Sequence, residues 1–276
     1  MSAGKYVVAA ERGLFAATGP DTVTLLQGLV SNDVAKVSPE RAIYAALLTA
    51  QGRFLHDFFI APWQDGVVID CERERQADLV KRLKLYRLRA KVQFTDLNTS
   101  HDVLLLWDDP HTGAAGAVTP FANSLAYVDP RNAGLGRRAI VAKGFVPDQA
   151  PGRAEDYTQL RLSLGVPDGS RDLEVEKALL LENGFEALNG VDFDKGCYVG
   201  QEITARTKYR GLGKRRLVKV TGDVSLPPPG TPILQDGAEA GVMRTSQGTL
   251  GLALLRLDAL EKPAPFAADG VLLRQA

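Results

Sequence analysis

The sequence predicts an α+β fold that ends in a small antiparallel β-barrel. In the first 164 residues, short β-prone runs joined by glycine turns alternate with segments whose apolar residues recur at helical spacing. Strands that follow one another in this way, with helices between them, favour antiparallel sheets with helices packed on one side. From about residue 215 onwards, proline and glycine separate several short strands, a rhythm typical of small barrels and sandwiches.

The first predicted elements are a helix and a hairpin. Residues 21–27 are expected to form a short helix that ends at Gly28, because glycine often terminates helices. Two apolar, β-prone runs follow, residues 43–49 and 54–60, and the turn between them contains Gly52. Two such runs joined by a short glycine turn indicate a β-hairpin.

A longer helix and further strands come next. Over residues 74–87, apolar side chains recur at helical spacing and charged side chains occupy the other face, the pattern of a helix packed on a sheet. A second helix is expected over residues 157–164, where Gly165 stops it. Strands are expected over residues 67–71, 90–97, 103–107 and 139–142, and an exposed loop over residues 112–118.

The terminal barrel is expected to begin near Arg215. Runs such as residues 217–221 and 249–255 are β-prone, and prolines and glycine turns separate them. The chain is therefore expected to divide into a region of residues 1–214 and a barrel of residues 215–276. Within the first region we expect two intertwined α+β lobes, the second spanning roughly residues 40–110.

Composition limits the kind of protein. Lys and Arg together number 33 and so do Asp and Glu, so the chain has no net charge and is not a general nucleic-acid coat. Its two cysteines, Cys71 and Cys197, lie far apart, which argues against a disulfide framework and a self-contained zinc site. No run approaches the roughly 20 apolar residues that span a bilayer, and the N-terminal residues resemble neither a secretory signal nor a transit peptide. These features predict a cytoplasmic protein with reduced thiols and no membrane contact.

Charge is distributed along the chain in segments. From Asp148 to Asp194 there are eleven acidic residues against four basic ones, and from Ile203 to Lys219 there are seven basic residues and no acidic one. Between them stands KGCYVGQE, residues 195–202, which carries a thiol, an ammonium, a phenol, an amide and a carboxylate around two glycines. Because glycine permits tight turns and close backbone approaches, this segment is predicted to be a functional loop.

The cysteine of this loop is the first candidate for chemistry. Most free cysteines are buried as small apolar residues, and we expect that of Cys71. For Cys197, the neighbouring Lys195 and the cationic residues that follow favour the thiolate, the form that attacks electrophiles or binds iron. Cys197 and Lys195 are therefore the predicted reactive pair.

The basic residues after the loop allow more than one interpretation. Arg206, Lys208 and Arg210 alternate, so on a strand they would share one face and could clamp an anion or an acidic partner. They could equally form a solvated surface. A third interpretation, direct binding of RNA, is less favoured and predicts an affinity that falls steeply with salt.

Segments along nearly the whole chain resemble those of one known family. The segments are KGCYVGQE at residues 195–202, with ITARTKYRG and KRR after it, LLQGLVSND at 25–33, LLTAQGRFLHDFFI at 47–60, LVKRLKLYRLRAKVQFTD at 79–96 and GVMRTSQGTLGLALLRLD at 241–258. Together they resemble the YgfZ/GcvT folate-binding family. KGCY resembles its YgfZ branch in particular, which includes mitochondrial iron-sulfur assembly factors, whereas the other segments are shared with the T protein of the glycine cleavage system.

The resemblance implies a three-lobe ring around a tetrahydrofolate site, with a ferredoxin-like lobe and a terminal barrel. It also implies a role in assembling or maintaining [4Fe-4S] clusters, including those of radical enzymes that modify tRNA, so folate and iron-sulfur proteins are the expected ligand and partners. Beside Cys197 and Lys195, the candidates for binding the cofactor are Gly196, Tyr198, Gly200, Gln201, Glu202, Arg206, Asn32, Asp33 and Glu182. The carboxylate that would contact a pterin stays open among Glu202, Glu182, Asp33 and Asp57.

The same resemblance implies an alternative function. The T protein carries a pair of aspartates after its glycine hairpin, one of which is catalytic, and the matching positions here read His56 and Asp57. The catalytic acid is thus either replaced by His56 or retained as Asp57. A folate-dependent one-carbon transferase of the aminomethyl type is therefore the alternative to an accessory protein without catalysis of its own.

Overall fold

Three β-sheets form the framework of the structure. The computed structural model describes residues 4–109, 113–211 and 213–276. In chain order its strands and α-helices are β1 (Lys5–Val8), β2 (Arg12–Thr18), α1 (Thr22–Gln27), β3 (Ile43–Leu48), β4 (Phe54–Trp63), β5 (Gly66–Glu72), α2 (Gln76–Arg87), β6 (Gln93–Asp96), β7 (His101–Trp107), β8 (Val118–Phe121), β9 (Ser124–Val128), β10 (Arg137–Ala142), β11 (Ala150–Pro151), α3 (Ala154–Ser163), α4 (Gly169–Asp172), α5 (Gln201–Arg210), β12 (Arg215–Thr221), β13 (Pro232–Gln235), β14 (Ala238–Gln247), β15 (Leu250–Arg256), α6 (Leu257–Leu260), β16 (Phe266–Ala268) and β17 (Val271–Gln275). Short 3₁₀ helices lie at Val34–Lys36, Arg73–Arg75, Ala133–Leu135 and Leu181–Asn183.

A five-stranded antiparallel sheet contains the predicted hairpin. Its strand order is β3-β4-β5-β2-β6. Every residue of β3 is buried, because alternate side chains such as Ala45 pack under α1 and α2 while those between them, such as Tyr44, pack against a second sheet. Burial on both faces explains why this strand reads as a continuous apolar run.

The second sheet has six strands in the order β11-β1-β7-β10-β9-β8. In this sheet β1 and β11 are parallel, and all other neighbouring strands are antiparallel. The sequence did not predict β8 and β9. Pro120 weakens the strand pattern of the short edge strand β8. Of the loop expected over residues 112–118, residue 112 lies outside the described residues and Val118 already belongs to β8.

A closed six-stranded barrel forms the C-terminal part, with the strand order β12-β15-β14-β13-β16-β17. It begins at Arg215, as predicted, and its interior is apolar, with Val220, Ile233 and Met243 at the centre. Asp172 at the end of α4 accepts hydrogen bonds from the backbone N–H and the hydroxyl of Thr245 on β14, at 2.8 and 2.6 Å. The barrel is therefore joined to the rest of the chain by a buried carboxylate.

The segment after the functional loop is a helix and not a strand. The alternation of Arg206, Lys208 and Arg210 suggested a shared strand face, but these residues lie on α5, where positions two apart point in different directions. The helix is favoured by the Glu202–Arg206 ion pair one turn apart and by Gly211, whose φ of 61° ends it in the left-handed conformation. The idea of a clamp on one strand face is therefore wrong.

Candidate functional site

The thiol loop, residues 195–202, presents Cys197 at the protein surface. Cys197 is exposed, whereas Cys71 is buried on β5, where burial raises its pKa to about 12. The expectation of a buried Cys71 is thus confirmed, and its thiol is inert at neutral pH. Beside Cys197, Gly196 has a φ of +90° and open space around it, so the backbone conformation and not crowding requires glycine there.

Lys195 fastens the start of the thiol loop to the end of α1. Its Nζ donates hydrogen bonds to the carbonyl oxygens of Gln27, at 2.5 Å, and Val30, at 2.7 Å. It also lies 4.8 Å from the centre of the Tyr198 ring, a cation–π contact. Burial lowers the pKa of Lys195 to about 8. Two of its three N–H donors are thus used to hold the loop.

Gly200 seats the end of the thiol loop on the β3–β4 hairpin. A Cβ on Gly200 would lie 2.4 Å from the carbonyl oxygen of Thr49 and 3.0 Å from the Cα of Gly52. A Cβ on Gly52 would lie 2.8 Å from the carbonyl oxygen of Gly200. Both glycines have positive φ, +81° and +70°, so two backbones approach each other where no side chain fits. This close approach of Gly200 and Gly52 fixes the loop on the hairpin.

Gln27 links the thiol loop to the segment after α1, and the sequence analysis did not predict this role. Its Nε2 donates to the carbonyl oxygen of Lys195, at 3.2 Å, and to Oδ1 of Asp33, at 2.9 Å. Gln201 acts similarly within the loop, because its Oε1 accepts from the backbone N–H of Tyr198 at 3.1 Å. The only signal for Gln27 was its place in the segment LLQGLVSND.

Asn32 and Asp33 tie the segment after α1 to its neighbours. The Nδ2 of Asn32, which is buried, donates to the carbonyl oxygens of Tyr44 and Asn189, both at 2.7 Å. Asp33 caps a 3₁₀ helix by accepting from the N–H of Ala35 at 3.1 Å. Both residues thus make contacts that stabilise the fold, and their role toward a ligand stays a prediction.

The other predicted ligand-binding residues are similarly engaged within the protein. Glu182 accepts from the backbone N–H groups of Lys214 and Arg215, at 2.8 and 3.2 Å, where the barrel begins. Glu202 pairs with Arg206 at 2.5 Å on the exposed face of α5. Binding of a cofactor by these residues stays a prediction too.

Asp57 occupies a separate, buried position on β4. Its Oδ2 accepts from the Tyr44 hydroxyl at 2.8 Å, and its Oδ1 is buried with no hydrogen-bond partner among the described residues. Burial and the nearby Glu72 carboxylate raise its pKa to about 6. The adjacent His56 is hydrogen bonded to Asp78 at 2.8 Å, and burial together with nearby Arg75 lowers its pKa to about 4. Of the two matched positions, only Asp57 has the surroundings of a proton acceptor.

Each of two adjoining interior cavities is smaller than a typical site for a ligand of folate size. A cavity of about 140 Å³ lies between the two sheets, beside another of about 220 Å³, whereas sites for ligands of folate size usually measure about 300–1,000 Å³. Five arginines line the smaller cavity, and the carboxylates that a pterin's N–H groups would need, such as Asp70, already accept from arginine. No described residue of the thiol loop lines either cavity. The thiol loop thus lies apart from these two cavities, and binding of a folate stays a prediction.

Metal ligands and membrane spans were also sought. Within residues 4–109, 113–211 and 213–276, no group of three or more His, Cys, Asp or Glu side chains is placed to hold a metal ion. Over the same residues, none of the helices has the length and apolar character to cross a membrane.

Comparison with known proteins identifies relatives of the whole chain. Residues 214–275 match the family described as CAF17, C-terminal beta-barrel domain. The human iron-sulfur cluster assembly factor IBA57, mitochondrial, is 36% identical over 285 residues, which cover 94% of this chain and 79% of that protein. The IBA57 homolog of Mycosarcoma maydis, also named mitochondrial, is 36% identical over 245 residues, and the chain spans only 60% of its length.

A solved structure shows the same fold. The crystal structure of glycine cleavage system aminomethyltransferase T from Bartonella henselae matches 99% of this chain and 84% of that chain, with a TM-score of 0.75 and 14% identity. Together with the closed barrel, this confirms the predicted α+β, aminomethyltransferase-like fold. At this identity the likeness concerns the fold alone.

The relatives correct one expectation and define the family. The relatives are mitochondrial proteins, so the expectation of a cytoplasmic protein is wrong. Two unpaired thiols indicate a reducing compartment but do not distinguish one such compartment from another. The relatives do not single out the YgfZ branch, which stays a prediction. Given 36% identity to a relative of which it covers 79%, the chain belongs to the IBA57 family of iron-sulfur cluster assembly factors.

Proposed function

We propose that this protein takes part in iron-sulfur cluster assembly, and that Cys197 supplies one thiolate to a cluster in transit. The observation that carries the proposal is an exposed cysteine on a loop clamped at one end by Lys195 and at the other by Gly200. A thiolate is the ligand that iron-sulfur clusters use. The names of the relatives support the same role.

A single thiol cannot hold a cluster by itself. Iron-sulfur clusters are typically held by four cysteine ligands, and the described residues offer Cys197 with no group of His, Cys, Asp or Glu able to complete a metal site. The remaining ligands must then come from a second protein. The cluster is thus cargo, shared for a time between Cys197 and an assembly or client protein.

The surface beside the thiol loop suits such a partner. The exposed basic residues of α5 and of the segment after it are Arg206, Lys208, Arg210, Lys214, Arg215 and Arg216. Lys208 also lies 3.8 Å from the centre of the Phe193 ring, and Phe193 contacts the exposed Tyr209. Positive charge with exposed aromatic rings favours an acidic protein surface. In this proposal the client proteins include radical enzymes that modify tRNA and carry [4Fe-4S] clusters.

Activation of an apo-enzyme in vitro tests this function. An apo-form of a [4Fe-4S] enzyme would be incubated anaerobically with equal amounts of ferrous and ferric iron, sulfide and the purified chain, and recovery of activity would be timed. The native chain and the matched control Cys71→Ala should accelerate recovery, whereas Cys197→Ala should not. Equal acceleration by Cys197→Ala would refute the role of the thiolate.

The alternative is a folate-dependent one-carbon transferase, and Asp57 is the observation in its favour. A buried carboxylate with a pKa of about 6 and one unpartnered oxygen has the properties of a general base. The small, arginine-lined interior is the observation against it. Calorimetric titration with tetrahydrofolate tests binding, and turnover of an aminomethyl or formaldehyde donor that stops in Asp57→Asn would establish the transferase.

A further inference from the structure

The interior cavity has polar walls and lies apart from the thiol loop. It lies between the two α+β sheets and α3, and its volume is about 140 Å³, room for a small ion with a few waters at about 30 Å³ each. The arginines that line it are Arg12, Arg131, Arg138, Arg161 and Arg171. Its two acidic lining residues are Glu11, which is exposed, and Asp168, which pairs with Arg171 at 3.1 Å. Cations thus outnumber carboxylates in the wall.

Four of these arginines are buried, and three of them, Arg12, Arg131 and Arg138, have their counter-charges behind the wall. Asp70 accepts from Nε of Arg12 at 2.6 Å and from Nε of Arg138 at 2.9 Å. Asp129 accepts from Nη2 of Arg131 at 2.8 Å and lies 3.7 Å from Nη1 of Arg138. Neither aspartate lines the cavity. Three guanidinium groups therefore share two carboxylates and present their other side to the cavity.

Helix α3 adds donors to the same wall. Tyr157 and Arg161 stand one turn apart on its buried face, so both side chains reach the cavity. Within the described residues, the Tyr157 hydroxyl is buried and has no hydrogen-bond partner. Nη1 of Arg161 donates to the carbonyl oxygen of Val166 and to Asp172, at 2.6 and 3.0 Å. A guanidinium has five N–H donors, so Arg161 retains others.

We propose that this cavity binds a small oxyanion, a phosphate or a carboxylate, held by Arg12, Arg161 and the Tyr157 hydroxyl. Guanidinium groups match the geometry of such anions. A buried hydroxyl without a partner is costly, and an anion oxygen is the acceptor that it lacks. The exposed side of Arg171 marks the way in from solvent. The proposal is independent of the cluster role, because the thiol loop does not line the cavity.

Thermal unfolding of the purified chain tests this site. The melting temperature would be recorded against rising inorganic phosphate, and separately against acetate, with chloride added to keep the ionic strength constant. A saturable rise in at least one series is expected, and the series that shows it identifies the anion. In Tyr157→Phe the apparent Kd for that anion should rise by about tenfold or more, because a hydrogen bond to a charged group is lost.

Controls separate the site from general salt effects. Tyr157→Phe should melt in chloride at or above the native temperature, because the hydroxyl it lacks has no partner. Tyr6→Phe, on the strand beside the cavity, is the matched control and should keep the native Kd. A melting temperature that follows ionic strength alone, or an unchanged Kd in Tyr157→Phe, would overturn the proposal. Tetrahydrofolate that displaces the anion and loses affinity in Tyr157→Phe would overturn it as well, since the cavity would then be a pterin site.

Discussion

Alanine at Gly200 should destabilise the fold much more than alanine at Gly196. Both positions have positive φ, +81° and +90°, and a side chain in that region costs about 1–2 kcal/mol. At Gly196 nothing lies within 4 Å of the new Cβ, so this is the whole cost. At Gly200 the Cβ meets the Thr49 carbonyl oxygen at 2.4 Å. Overpacking of this kind adds about 1–3 kcal/mol, for a total of about 2–5 kcal/mol.

Equilibrium unfolding in urea measures both losses, and alkylation of Cys197 reports on the loop itself. If the thiol loop is seated on the hairpin, Gly200→Ala should also change the alkylation rate of Cys197, because the loop has to move away from Thr49. Gly196→Ala is the matched control for the positive φ. Equal losses of stability in the two variants would refute the reasoning, because they would show that the close approach of Gly200 and Gly52 contributes nothing.

Four further predictions concern ionisable side chains. Asp57 has a pKa of about 6 in the folded chain against 3.8 ordinarily, so between these pH values the folded state binds more protons than the unfolded state. The free energy of unfolding should therefore fall as pH rises through this window, and Asp57→Asn should remove about 3 kcal/mol of that fall. His56 has a pKa of about 4 against 6.5 ordinarily, so here the unfolded state binds more protons and stability rises with pH. Between pH 4 and 6, the free energy of unfolding should therefore rise with pH in Asp57→Asn and fall with pH in His56→Gln. Urea-unfolding profiles that match the native chain would contradict both predictions. Arg161→Met should cost about 3–5 kcal/mol by leaving the buried Asp172 carboxylate without its counter-charge, and a loss below about 1 kcal/mol would contradict this. Lys195→Met should lower the urea midpoint and raise proteolytic cleavage between residues 195 and 200, and a native digestion pattern would show that the Lys195 clamp is dispensable.

Local patterns were enough to predict much of the fold. The hairpin at Gly52, the helix that begins near residue 76 and the barrel that begins at Arg215 each depend on turn residues and periodicity within a short stretch. α5 was misread because three alternating basic residues suggested a strand, whereas the Glu202–Arg206 pair and Gly211 decide for a helix. Which sheet a strand joins is a long-range property, so β7 could not be placed in the second sheet from sequence.

The chemistry of the site could be predicted only in part. KGCYVGQE was recognisable because its residue types are reactive, and Cys197 is indeed exposed. The contact of Gly200 with Gly52 joins residues 148 positions apart along the chain, and no pattern within either segment encodes it. The arginine cavity was invisible for a related reason. Single residues such as Arg12 and Arg138 look like surface charges until the sheets bring them together around Asp70.

Restoration of a [4Fe-4S] enzyme in living cells tests the central claim most directly. Cells without their own factor of this family would express the native chain, Cys197→Ala or Cys71→Ala at matched protein levels, and the activity of one [4Fe-4S] enzyme would be measured. The account predicts full activity with the native chain and Cys71→Ala and background activity with Cys197→Ala. Native activity in cells that carry Cys197→Ala would contradict it.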